Sequence, residues 1–431
     1  MQDCNNLLQQ LKAGNMDEAL SRVYDVHDGG KSVEQGRSRS IHVTEEFIKL
    51  FGNREGAGLY TGPGRTEICG NHTDHQRGRV LAAAVNLDFL VCAAPNGTNT
   101  IRFMSEGWHM VEVNLDNLEP VEEEKEGTAA LVRGVAAGIA QRGYKPVGFD
   151  AYATSMVLPG SGLSSSAACE VTIGVILNHL VCGDELDAVT IAQIGQYAEN
   201  VFFGKPCGLM DQTASSVGGA VAIDFADTAN PVVHPIEVDL AGYGYALCII
   251  DSGADHADLT AEYAAIPQEM KAVAAHFGCE VLREVDPSRI WTDMPALREK
   301  VGDRAVLRAL HFFADDARVA QEADALERGD FDTFLKLVQQ SGESSWMYLQ
   351  NIAPVGAVRE QAMAVALATA AHALQGRGAY RVHGGGFAGT IQAFVPLDML
   401  EQFKAQVEEV LGQGSCHVLA VRGVGGAVVC E

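Results

Sequence analysis

Asp211 follows the break Pro206-Cys207-Gly208 and sits beside Leu209 and Met210, apolar company in which a carboxylate is costly unless something uses it. Two uses fit: taking a proton or hydrogen bond from a reacting hydroxyl, or capping the helix that Gln212-Thr213-Ala214-Ser215-Ser216 begins. Upstream, the run Leu158–Glu170 ends a strand at Pro159, and its glycines allow unusual backbone angles and close approach. Ser164, Ser165 and Ser166 then open a long helix whose first N–H groups lack internal partners. Gly160, Ser161, Gly162, Leu163 and these three serines therefore make an anion cradle, with hydroxyls that could reach a metal ion. A glycine loop with a serine N-cap is the plainer alternative.

A third segment, Gly62–His75, gathers Arg65, Glu67, Asn71, His72, Asp74 and His75 between apolar strands. Donors and acceptors at that density suit a polyhydroxylated ligand, whose hydroxyls each give and accept hydrogen bonds. A zinc site from His72 and His75 has no clear third ligand. Two other runs imitate nucleotide loops. Gly29-Gly30-Lys31-Ser32 has Asp25 where a P-loop needs glycine, and it follows a helix rather than a strand. Gly384-Gly385-Gly386-Phe387-Ala388-Gly389 fits GxGxxG but runs into the strand Thr390–Val395 instead of opening a helix.

These segments need a frame of two or three domains, for which 431 residues, 47% of them apolar, are sufficient. Periodicity predicts a helical pair within 4–24, a loop over 27–40 and a helix over 44–51. Strands follow at 58–62, 80–94, 100–103, 110–113, 148–157 and 220–225, with helices at 128–142, 165–180 and 185–202. After a strand at 245–251 comes a helix-rich stretch, then strands at 380–383 and 389–395 and a helix at 397–411. Strands and helices do not alternate regularly, so the expected class is α+β. The expected division is a helical extension over 1–42, one lobe over 43–226 and a second over 240–431.

Lys and Arg number 31 against 56 Asp and Glu, a formal charge of −25 with no basic run, which argues against nucleic acid and anionic membranes as partners. A phosphate-bearing small ligand stays open, since backbone N–H groups can hold it. Ten scattered cysteines without a CxxC pair read as reduced thiols of a cytoplasmic protein. The N-terminal sequence resembles no export signal, and no stretch is expected to be apolar enough to cross a membrane.

Taken together, the motifs resemble the galactokinase branch of the GHMP small-molecule kinases. Galactokinases read close to PGR-x-N-L-I-G-E-H-T-D-Y where this chain has Pro63-Gly64-Arg65-Thr66-Glu67-Ile68-Cys69-Gly70-Asn71-His72-Thr73-Asp74-His75. Their LP-x-G-x-G-L-S-S-S-A is matched by Leu158–Ala167 apart from a shifted glycine at 160, and their C-G-I-M-D-Q by Cys207–Gln212. Their G-G-G-F-G-G appears as Gly384–Gly389, with Ala388 in the fifth place. The order is preserved from about Phe47 to the end of the chain.

The resemblance implies a two-lobed kinase with its site in the cleft, phosphorylating the anomeric hydroxyl of a galacto-configured sugar with ATP and Mg2+, and working as a monomer. It implies that Gly160 to Ser166 wrap the ATP phosphates and that Ser165 and Glu199 hold the metal. Asp211 would face the sugar's C1 hydroxyl, Arg65 would stand between Asp211 and the moving phosphoryl group, and His72, Asp74, Gly208 and Tyr263 would hold the sugar. Asn71 takes the place of a Glu that galactokinases set beside the C6 hydroxyl, and plant galacturonokinases also lack that Glu. Galactose is therefore expected first, with galacturonate, N-acetylgalactosamine and arabinose as alternatives. A sugar sensor without turnover is the other class to separate.

Overall fold

The structure, a computed structural model, describes residues 2–26, 28–157, 162–205, 207–254 and 259–431. Two sheets organise it. The larger runs β12-β1-β2-β5-β3-β4, from β1 (Gly58–Cys69), β2 (Arg79–Pro95), β3 (Thr100–Ser105), β4 (Val111–Asn114), β5 (Phe149–Ser155) and β12 (Ala427–Cys430). Its strands pair antiparallel except β3 with β5. The hairpin β6 (Ala220–Asp224) and β7 (Val232–Ile236) branches from the first half of β2. The second sheet is antiparallel, β11-β8-β10-β9, from β8 (Tyr245–Asp251), β9 (Ala379–Val382), β10 (Thr390–Pro396) and β11 (Cys416–Leu419). The α+β class is the one observed.

Four local differences from the sequence reading matter. The motif after Gly62 is strand rather than loop: β1 continues to Cys69, paired with β2 across register shifts between Pro63 and Arg65 and between Glu67 and Cys69. A bulge is where a strand can tolerate proline and re-aim a side chain, and it delivers Arg65 to the site on a rigid element. The polar stretch expected as a loop over 27–40 lies largely in a helix, Lys31–Phe51, which crosses the expected boundary at 42. Its buried face is mostly small, with Gly36, Ser40 and Thr44 beside Val43 and Phe47, which disguises the helical period. The expected linker 227–239 contains β7, paired into the larger sheet. Finally, Ser165–Cys182 is long and apolar enough to span a membrane, contrary to expectation, yet 72% of it is buried inside the protein, as a core helix is.

The helices Cys4–Ala13 and Asp17–Tyr24 are not a loose appendage. Cys4, Leu7, Leu11, Leu20, Val23 and Tyr24 join Leu59, Leu90, Cys92 and Val429 in one apolar cluster against the larger sheet. The helix Ser165–Leu177 lies among the main core cluster with β1 and β2, its N-terminus at the site. Because β12 sits beside β1, the end of the chain belongs to the sheet that carries Arg65.

Candidate active site

Arg65 grips Asp211 with two parallel hydrogen bonds, Nε to Oδ1 and Nη2 to Oδ2, each 2.7 Å. The third nitrogen of the guanidinium donates to the carbonyl of Gly162, and Ser164 Oγ donates to Asp211 Oδ2. Ser164 has a left-handed backbone (φ 55°) at the N-cap of the helix Ser165–Leu177, whose first turn contains no acidic residue. Positive helix end, Arg65 and Asp211 thus converge on one point. Asp211 lies in the first turn of the helix Met210–Val217, with Leu209 at the cap, so its carboxylate serves Arg65 and Ser164 rather than capping. Burial pushes its pKa up, but Arg65 and Ser164 outweigh that and hold it below the usual carboxylate range. With the side chain 28% exposed, it remains reachable by a ligand. Gly160 and Ser161 of the expected cradle lie outside the described residues.

Behind the serines, Glu199 is buried at the start of the helical stretch Ala198–Phe203 that continues Ala188–Tyr197. Ser166 Oγ reaches Glu199 Oε1 at 3.2 Å, while Ser165, the serine expected beside it, makes no hydrogen bond to that carboxylate. A helix start places successive side chains about 100° apart, so one residue of phase decides which serine faces Glu199. Gln212 Nε2 donates to Glu199 Oε2 at 2.8 Å and to Glu170 Oε2 at 2.9 Å. Burial and the nearby Glu199 charge push the Glu170 carboxyl well up, and its other oxygen has no partner. Lys205 Nζ stands 3.5 Å from Glu199.

On the other side of Arg65, the expected sugar ligands meet the glycine run Gly384–Gly386. Asn71 Nδ2 donates to Gly384 O (2.6 Å), His72 Nε2 to Gly385 O (3.0 Å) and Tyr263 Oη to Gly386 O (2.9 Å). Asp74 lies against Gly208 so closely that a Cβ there would fall 2.5 Å from Asp74 Oδ2, so a side chain at 208 would turn the Asp74 carboxylate out of its place. Burial depresses His72 to about 4, so the ring is neutral; with its proton on Nε2, Nδ1 is an acceptor. Asn71, only 1% exposed, is fully engaged: its amide also donates to Glu67 Oε1 (2.9 Å) and accepts from Asn351 Nδ2 (2.7 Å). Asp315 Oδ2 fixes this turn from below, accepting from the backbone N–H of Gly70 (3.2 Å) and Asn71 (3.1 Å).

Residues 45–95 match the galactokinase galactose-binding signature, and residues 130–219 match the GHMP kinases N terminal domain. The chain is 31% identical over 371 residues to the galactokinase of Actinobacillus pleuropneumoniae serotype 3 (strain JL03), covering 84% of this chain and 91% of that one. It belongs to the galactokinase family. A second galactokinase, from serotype 5b (strain L20) of the same species, matches to the same extent. Among solved structures, the Lactococcus lactis galactokinase complexed with galactose superposes with a TM-score of 0.76 at 24% identity, over 90% of this chain and 98% of that one. A mevalonate kinase superposes at 0.61 and 12% identity, over 85% of this chain and 99% of that one, a likeness of fold.

Within this galactokinase framework, two site residues carried no sequence signal. Asn351 is an ordinary polar residue until the fold brings it to Asn71. His383 is the clearest case: it lies between Thr66 (3.0 Å) and Thr390 (2.8 Å) under the Gly162 loop, driven down to about 3 by burial and so neutral.

Proposed function

We propose that this galactokinase-family enzyme transfers the γ-phosphoryl group of ATP to the anomeric hydroxyl of galactose. The observation that carries the reading is the Arg65–Asp211 pair at the N-terminus of the helix Ser165–Leu177. An ionised carboxylate and a guanidinium there meet the backbone donors that suit polyphosphate. The sugar oxygen attacks the γ-phosphorus, the bond from phosphorus to the ADP oxygen breaks, and the hydroxyl proton passes to Asp211. A carboxylate held this low is a weak base, so it takes the proton after phosphorus–oxygen bonding has acidified the hydroxyl. Arg65 balances charge on the moving group and on Asp211.

The donors near Glu199 fit Mg2+: a hydroxyl oxygen from Ser166, the Glu199 carboxylate and the unpartnered oxygen of Glu170 are all hard ligands. No group of three His, Cys, Asp or Glu placed to hold a metal occurs among the described residues, so ATP phosphates and water would complete its shell. When bound, the ion supplies charge neutralisation to the β- and γ-phosphates.

Galactose is favoured over galacturonate by the state of the sugar ligands. Asn71, His72 and Tyr263 have given hydrogens to the loop carbonyls, and Asp74 and Asp211 are carboxylates, so this side of the site presents acceptors. Hydroxyls can donate to such a surface, whereas a carboxylate finds only repulsion. The ten cysteines are all free, which supports a reducing compartment such as the cytoplasm. ADP release measured with galactose, galacturonate, N-acetylgalactosamine and arabinose tests the assignment. Galactose is expected to give the highest kcat/KM; a tenfold advantage for galacturonate overturns it, and no ADP with any sugar leaves a sensor.

A further inference from the structure

Glu67 and Asn71 stand one helical turn's count apart in sequence, yet they lie on the end of β1 and the turn after it, joined by a 2.9 Å hydrogen bond between two buried side chains. Around them every polar partner has one sense. Glu67 Oε1 receives Asn71 Nδ2 and, at 3.4 Å, Nη2 of the buried Arg381. Asn71 Nδ2 spends its second hydrogen on Gly384 O, and Asn71 Oδ1 receives Asn351 Nδ2, which also donates to Gly385 O at 3.2 Å. An amide turned the other way would set its oxygen against a carboxylate and a carbonyl, and its NH2 against another NH2. Glu67 therefore fixes which way Asn71 faces, and through Asn71 and Asn351 it fixes the carbonyls of Gly384 and Gly385, the second of which His72 also uses.

We propose that Glu67 is the positioning residue for sugar-class selectivity: by orienting Asn71 on Gly384 it keeps this side of the pocket an acceptor surface, which admits neutral sugars and rejects uronates. This rests on the sugar kinase reading above. Glu67 touches no substrate atom in this account; it acts through Asn71. The pair is also reciprocal in charge. One carboxylate and one amide satisfy each other, two carboxylates repel, and two amides leave Arg381 without its partner.

The test uses the full-length enzyme and compares Glu67→Gln, Asn71→Glu and the double variant Glu67→Asn/Asn71→Glu, with Tm recorded for each. Glu67→Gln, nearly isosteric, is expected to raise KM for galactose about fivefold with kcat within about threefold, and to cut discrimination between galactose and galacturonate about tenfold or more. Asn71→Glu, which sets a second carboxylate against Glu67 and Gly384 O, is expected to lose at least about tenfold in kcat/KM, and the double variant to recover most of that loss. A discrimination ratio unchanged in Glu67→Gln overturns the proposal, as does a double variant no better than Asn71→Glu alone. Wild type preferring galacturonate would instead defeat the galactose reading, while recovery in the double variant would still report the pair.

Discussion

Arg65, on a bulged strand, and Asp211, in the first turn of a helix, face each other in a two-pronged ion pair with both hydrogen bonds at 2.7 Å. Their positions are 146 residues apart in sequence, and the pair closes only because β1 passes the N-termini of two helices. Neither partner is free to reorient: the guanidinium also holds Gly162 O, and the carboxylate also holds Ser164.

Asp211→Asn keeps the shape of that contact and removes its charge. Steady-state kinetics should show kcat lowered about 10²-fold or more, with galactose affinity by calorimetry within about threefold. Wild-type turnover in the variant would reduce Asp211 to a structural partner of Arg65.

Arg65→Lys keeps the positive charge but cannot make two parallel hydrogen bonds and reach Gly162 as well. The expected result is a fall in kcat of at least about tenfold with ATP KM changed far less, since the lost geometry matters most as phosphoryl charge develops. Equal losses in kcat/KM for both substrates at unchanged kcat would assign Arg65 to binding alone.

The metal ligands can be separated by titration. Ser166→Ala and Glu199→Gln should each raise the Mg2+ concentration for half-maximal activity by about tenfold, because a hard octahedral ion loses an oxygen ligand. Ser165→Ala measures the alternative serine: a larger shift there than in Ser166→Ala would mean that the helix start turns when ATP binds.

Glu67 makes stability depend on pH. Burial, offset in part by Arg381 and Asn71, raises its carboxyl from the ordinary 4.5 to about 7. Between those values the folded protein holds a proton that the unfolded chain has released, so this group's contribution to stability falls as pH rises through the window. Glu67→Gln lacks that slope. Its Tm relative to wild type should therefore improve from about pH 5 to about pH 8, whereas a difference independent of pH would mean that Glu67 is ionised throughout.

What could be read from the chain was whatever is contiguous. Asp211 after its Pro-Cys-Gly break, the serines at 164–166 and Arg65 in its motif each carry their chemistry in a few neighbouring residues. The α+β class followed from strands and helices that do not alternate. What the chain concealed depends on phase or on distant contact. Gly36 and Ser40 made a buried helix face look like loop, and one residue of phase separated Ser166 from Ser165 at Glu199. Asn71 was recognisable as a substitution, but its commitment to Asn351 and Gly384 involves residues 280 and 313 positions away. No local pattern announces such partners.

The most direct measurement is phosphorus NMR of the product that wild-type enzyme makes from galactose and ATP. One new phosphomonoester coupled to the anomeric proton is expected, formed in equal amount with ADP and at least about a hundredfold more slowly with Asp211→Asn. Phosphate on any other sugar carbon, or ADP formed without sugar phosphate, would contradict it.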